Sequence, residues 1–162
     1  MKKYYISISI LLVMIIVAIS ILYYQDEKMN EVKSDMGSRM IASNIIQLEG
    51  AIMFQIQNNW DEPNNVNEKV EDVIEGLYMT RSVADRFNKL SSEDDEILMR
   101  LIRYFEKFPS YSGFPNYSID EKEIKAYVKL REDLRDVGWG MNISYSSSWH
   151  ELIEKANKLM SM

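Results

Sequence analysis

The sequence predicts an all-α protein, with a single N-terminal transmembrane helix followed by an extracytoplasmic bundle of four or five helices. Three observations carry that expectation. Residues 4–24, YYISISILLVMIIVAISILYY, hold no charge, and only Ser7, Ser9 and Ser20 among them are not apolar. Downstream, apolar residues recur at spacings of three, four and five in segments separated by turn formers, the pattern of amphipathic helices. No stretch of six or more residues alternates with period two, so no sheet is expected.

At a rise of about 1.5 Å per residue, the uncharged segment forms a helix of about 30 Å, the thickness of a bilayer's hydrocarbon core, with its amides satisfied internally. Tyr4 and Tyr5 at one end and Tyr23 and Tyr24 at the other fall at the two headgroup layers, which amphipathic rings favour. Lys2 and Lys3 precede the segment, whereas Asp26, Glu27, Lys28, Glu31 and Lys33 follow it. The positive-inside bias then makes residues 1–3 a cytoplasmic stub and puts residues 25–162 outside the cell membrane. A cleaved secretory signal is the competing reading, with Ala18 and Ser20 before the cut and a secreted product. Against it, Ile21, Leu22, Tyr23 and Tyr24 prolong the apolar run beyond the length of an ordinary signal core. A buried helix of a soluble protein is the third and weakest reading of the segment.

Residues 25–162 suffice for one domain and are too few for two ordinary ones. With Lys2 and Lys3 set aside, the 19 Lys and Arg of the chain fall to 17 against 25 Asp and Glu. That acidic balance repels nucleic acid and anionic headgroups and favours a basic or neutral protein partner. The chain has no cysteine, which excludes disulfides, thiol metal sites and a lipidated cysteine anchor.

The elements follow in order. Residues 26–59 read as one long helix, because Met29, Val32, Met36, Met40, Ile45, Leu48, Ile52 and Ile56 form an apolar stripe without a proline. Only Gln25 separates it from the membrane segment, so one continuous helix is expected. Gly37, flanked by Ser34 and Ser38, is its expected hinge, and Gly50 weakens it further. Its methionines suit a core or a partner surface. The run of residues 58–65, NNWDEPNN, ends it. A second helix over about residues 66–90 is expected to be capped by Asn65 with Glu68 and to bury Val66, Val70, Val73, Ile74, Leu77, Ala84, Phe87 and Leu90. Ser91 or Ser92 caps a third over 93–108, with acids at its positive end. The two should pack as an antiparallel pair. Ser118 with Glu121 reads as a capping box for a fourth over 119–137, stopped by Gly138, and Ser148 with Glu151 caps a last helix over 149–160.

No catalytic residue, metal site or cofactor is expected. His150 is the only histidine and has no G-x-S-x-G serine to partner. The acidic runs lack the ligand spacing and central glycine of a calcium loop, and the six glycines form no phosphate-binding pattern. The candidate binding residues are aromatic. Phe108, Tyr111, Phe114 and Tyr117 continue a three-residue spacing begun at Phe105, and Trp139 and Tyr145 lie in a second irregular segment. These rings either form an aromatic surface at the bundle's ends or plug its core.

The expected function is a membrane-anchored extracytoplasmic interaction module, accessory or regulatory and without enzymatic activity. Its partners would be the membrane and another membrane or envelope protein, with homo-oligomers possible through the first helix. One alternative is a small-molecule or lipid-binding subunit of an envelope sensor or transport complex, marked by an apolar pocket of roughly 300 Å³ or more. The other is an envelope hydrolase using Asp61 and Glu62, or Asp120 and Glu123, as paired carboxylates.

Overall fold

The computed structural model describes the backbone of residues 2–111, 113, 118–143 and 148–162, and of these the side chains of all but residues 2, 3, 6 and 7. The fold is all-helical, with no strand among the described residues. Helix α1 spans Lys2–Met36 and is followed by a π-helical segment, Gly37–Ala42. Then come α2 (Ser43–Gln57), α3 (Asn64–Arg86), α4 (Ser92–Phe105), α5 (Glu121–Asp136) and α6 (Trp149–Leu159). The chain divides into two compact units, residues 1–32 and 33–162.

The first unit is a single helical stretch that is long and apolar enough to cross a membrane. Its best 18-residue window has a mean hydropathy of 2.4, and none of that window is buried. The hydroxyls of Ser9 and Ser20 donate to the carbonyls of Tyr5 and Ile16, each at 2.9 Å. These two hydroxyl donors are thus satisfied within the helix, as an apolar surrounding requires.

The second unit is a helical bundle whose core joins the π segment and α2 to α3, with α5 against α2 and α6 against α4. Ile45, Leu48 and Ile52 are fully buried, as the stripe predicted, and so is Ile41, which the stripe passed over for its half-buried neighbour Met40; Val66, Val73 and Leu77 face them from α3. The stripe is not uniform. Ile56 is exposed, and Phe87, expected inside, is 52% exposed. Phe87 is the C-cap of α3, where the chain leaves helical geometry and turns the ring away from the core.

At Gly37, the expected hinge, the chain enters the π segment. The backbone stays helical through Gly37, the residues flanking the π segment, Met36 and Ser43, both being in the right-handed helical region. What it supplies is room, because a Cβ there would lie 3.1 Å from the Trp149 ring and 3.2 Å from Leu152. Gly76 on α3 does the same more severely, since a Cβ there would sit 1.9 Å from the Met40 carbonyl oxygen. That carbonyl is served instead by the Asn44 amide, which donates to Met40 O at 2.9 Å and to Asp72 O of α3 at 2.8 Å. The widened turn of the π segment and the missing side chain of Gly76 together set two backbones in contact. Trp149 is tied in by its indole N–H, which donates to Asp94 at 2.8 Å, and by Lys33, whose ammonium lies 4.8 Å from the ring centroid and donates to Lys89 O at 2.9 Å. Burial pushes the Lys33 ammonium below its ordinary pKa despite the nearby Asp94.

Helix ends follow local chemistry. Ser91 and Ser148 cap α4 and α6 as expected, accepting from the amides of Asp94 and Glu151. Two caps differ. α3 starts at Asn64 after Pro63, with no side-chain cap, and Asn65 donates back to Glu62. The capping box of α5 is Asp120 with Glu123 rather than Ser118 with Glu121, since the helix starts at Glu121 and the Asp120 carboxylate accepts from the Glu123 amide, a charge-assisted cap. At their C-termini, α2, α3 and α5 close with the same pattern. Asn59, Asn88 and Gly138 take positive φ of 53°, 53° and 85°. The next amide returns to the helix, as Trp60 N to Gln55 O, Lys89 N to Ala84 O and Trp139 N to Leu134 O.

Candidate functional site

The aromatic residues gather where the end of α4 meets the start of α5. Tyr104 and Phe108 are one helical turn apart, so they share a face, and their rings meet edge-on with centroids 6.2 Å apart. Phe108 stacks on Tyr127 of α5, at 5.1 Å and 24°. Trp60, from the α2–α3 turn, also stacks on Tyr127, at 5.8 Å and 26°. Tyr127 is fully buried, and its hydroxyl donates to Asn67 Oδ1 of α3 at 2.5 Å. The amide nitrogen of Asn67 is buried without a hydrogen-bond partner. Burial, with the charge of Asp133 second, pushes the Tyr104 phenol up to about 12.

Phe108 and Pro109 form a ridge between two grooves. The first, of about 670 Å³, has Tyr104, Phe108 and Tyr127 as its aromatic wall, with Lys107 and Lys122 at its rim. Asp120 and Glu123 also line it, but each accepts from the other's backbone N–H in the α5 cap. The second, of about 510 Å³, has an apolar floor of Val70, Ile74, Met79 and Phe108, and its ionisable groups are Glu71, Glu75, Glu106 and Tyr78. The Tyr78 hydroxyl donates to Glu106 at 3.2 Å, and that hydrogen bond raises the phenol above its ordinary pKa.

Of the aromatic residues singled out from sequence, Phe108 is half-buried at the centre of both grooves. Tyr111 is on the surface, its backbone N–H donating to Glu71 at 2.8 Å. Phe114, Tyr117 and Tyr145 lie outside the described residues. Trp139 is a correction, because it is only 1% exposed and belongs to the core. It occupies the residue after the left-handed Gly138, a position whose side chain folds back onto its own helix.

Sequence reasoning missed Tyr104 as a wall and also a buried charge cluster. Glu49 of α2 is fully buried, with Arg131 Nε at 2.9 Å, Arg135 at 3.2 Å and the Met141 backbone N–H at 2.8 Å. The signal for Glu49 was its place between Ile45 and Ile52 on the apolar stripe. For Tyr104 it was the one-turn spacing to Phe108. The carboxylates Asp61 and Glu62 are both exposed, and Glu62 accepts from Asn65 at 2.8 Å. His150 is exposed on the first turn of α6.

No protein-family model matches this chain, and no curated protein or solved structure does.

Proposed function

We propose that this chain is a single-pass membrane protein, N-terminus in the cytoplasm and residues 25–162 outside, whose helical domain is a non-enzymatic module that binds another membrane or envelope protein. The observation that carries the reading is the Phe108–Pro109 ridge with an open groove on each side. Aromatic walls with a polar rim are what protein interfaces enrich. The asymmetry of charge around residues 4–24 supports the orientation. Tethering raises the local concentration of the ridge for any other membrane component.

The first groove favours a second reading, a small apolar or lipid-like ligand, because about 670 Å³ lies within the range of ligand clefts. The hydrolase reading is the weakest, since Asp120 and Glu123 are already committed to capping α5.

The test is affinity capture of the full chain from gently cross-linked membranes. Three forms are compared: the native chain, one with an unrelated spanning helix in place of residues 4–24, and the native chain carrying Phe108→Ala or the surface change Met79→Ala. The expected result is a partner retained by the exchanged span and lost with the ridge variants. A partner lost with the exchanged span would make the span itself the recognition element. Saturable binding of an apolar fluorescent dye, lost in Tyr104→Ala, would favour the ligand reading.

A further inference from the structure

We infer that the second groove receives a basic, amphipathic polypeptide segment, its apolar side chains over Ile74, Met79 and Phe108 and its lysines or arginines against Glu71, Glu75 and Glu106. This rests on the interaction reading above and names the chemistry of the partner.

The charged groups that line the groove are all of one sign, Glu71, Glu75 and Glu106. Two neighbouring charges on α3 are paired, Lys69 with Asp72 at 2.6 Å and Arg81 with Asp95 of α4. Among the described residues, Glu71, Glu75 and Glu106 have no cationic partner, and no lysine or arginine lines the groove. Two of the three are held in place by neutral donors, Glu71 by the Tyr111 N–H and Glu106 by the Tyr78 hydroxyl. Carboxylates fixed in advance lose little freedom when a cation arrives. The floor between them is apolar, and Tyr78 and Met79 are 43% and 44% exposed. A purely charged partner would leave that floor wet, whereas a purely apolar one would desolvate three unpaired acids. A segment with both features satisfies both demands.

Other occupants fit less well. Anionic lipid and nucleic acid are repelled, and no group of three or more His, Cys, Asp or Glu that could hold a metal ion exists among the described residues. A second copy of this chain carries the same acidic excess, which opposes self-association.

The test uses the full chain in discs of neutral phosphatidylcholine, with its methionine methyl groups isotopically labelled for NMR. The probe is a short synthetic peptide of lysine and leucine, with a glutamate–leucine peptide as control and empty discs subtracted. The Met79 resonance should shift on addition of the lysine peptide, while those of Met141 and Met162 stay still. Raised salt should weaken the effect. Glu75→Lys with Glu106→Lys should weaken binding by about tenfold or more, whereas Glu68→Lys with Glu132→Lys, equal in charge but outside both grooves, should weaken it far less.

Equal losses in the two charge-reversed proteins would reduce the effect to net charge and overturn the inference. So would equal binding of the glutamate peptide, or a Met79 shift that depends on protein concentration and not on peptide, which would identify a second copy as the occupant. A membrane partner captured through Phe108 but indifferent to Glu75 and Glu106 would leave the interaction reading intact and remove this one.

Discussion

Replacing Gly76 with alanine tests the tightest contact in the domain. In a helix interior the change is favourable by about 1 kcal/mol on propensity alone. Here the new Cβ would lie 1.9 Å from Met40 O and 2.8 Å from Met40 C, both backbone atoms that no rotamer change can move. Restoring ordinary contact requires α3 and the π segment to part by about 1.5 Å, which is overpacking of the kind that costs about 1–3 kcal/mol. The same movement stretches the Asn44 bond to Asp72 O, now 2.8 Å, which contributes about 1 kcal/mol. The net expectation is a loss of about 1–3 kcal/mol, or roughly 7 °C in Tm for a domain of this size. Gly50→Ala is the matched control. It too is a helical glycine, and its new Cβ would meet Met141 Sδ at 2.2 Å, but that thioether ends a flexible side chain 42% exposed. Gly50→Ala should be neutral or slightly stabilising. Thermal unfolding followed by circular dichroism reads both. Equal stability of the two variants would refute the argument that the π segment and α3 meet backbone to backbone.

Three further outcomes are expected. Glu49→Ala leaves Arg131 and Arg135 without their shared carboxylate and should cost about 3 kcal/mol, the low end for a broken buried pair because the two side chains stay 25% and 39% exposed. Glu49→Gln keeps an acceptor for Met141 N and should cost less, and chemical denaturation distinguishes them. Alkaline stability should depend on Tyr104. Its folded pKa is raised from 10.0 to about 12, so the folded protein keeps the proton that the unfolded chain releases. Stability is therefore full below pH 10 and declines as pH rises from 10 towards about 12, and Tyr104→Phe should remove that part of the decline. Asp120→Ala should cost about 1 kcal/mol as the loss of an N-cap, whereas Ser118→Ala should change stability by less than about 0.5 kcal/mol. A larger loss at Ser118 in a denaturant titration would return the cap of α5 to the earlier serine.

The helices were legible because their apolar spacing needs only the 3.6-residue period, and the stop at Gly138 because few other residues accept its φ of 85°. Less was legible where two elements must be known together. Gly37 and Gly76 look alike in sequence to any helix-weakening glycine, and only the packing of Trp149 on one and Met40 O on the other gives them their roles. Trp139 was misplaced because an irregular segment suggests exposure, whereas the turn that ends α5 returns this side chain to the core. Phe108 was legible as part of an aromatic run, but its neighbours Trp60 and Tyr127 come from the α2–α3 turn and from α5. No local pattern brings those three together.

That assembly explains why the ridge is suited to recognition. Trp60 holds φ at 59°, a conformation that disfavours a bulky side chain. It is kept there by the return bond to Gln55 O at 2.9 Å and by its stacking on Tyr127. Tyr127 in turn is fixed by Asn67 and supports Phe108. The half-buried ring of the ridge therefore rests on a fully buried ring, which is wedged by a strained turn and hydrogen-bonded to a third helix. A wall built in this way loses little entropy when a partner arrives, so more of the contact free energy remains as affinity. Two of the three acids of the second groove, Glu71 and Glu106, are ordered by the same logic, through Tyr111 N and the Tyr78 hydroxyl. Under the proposed interaction, a ridge and acids ordered in this way would favour selectivity for one class of partner.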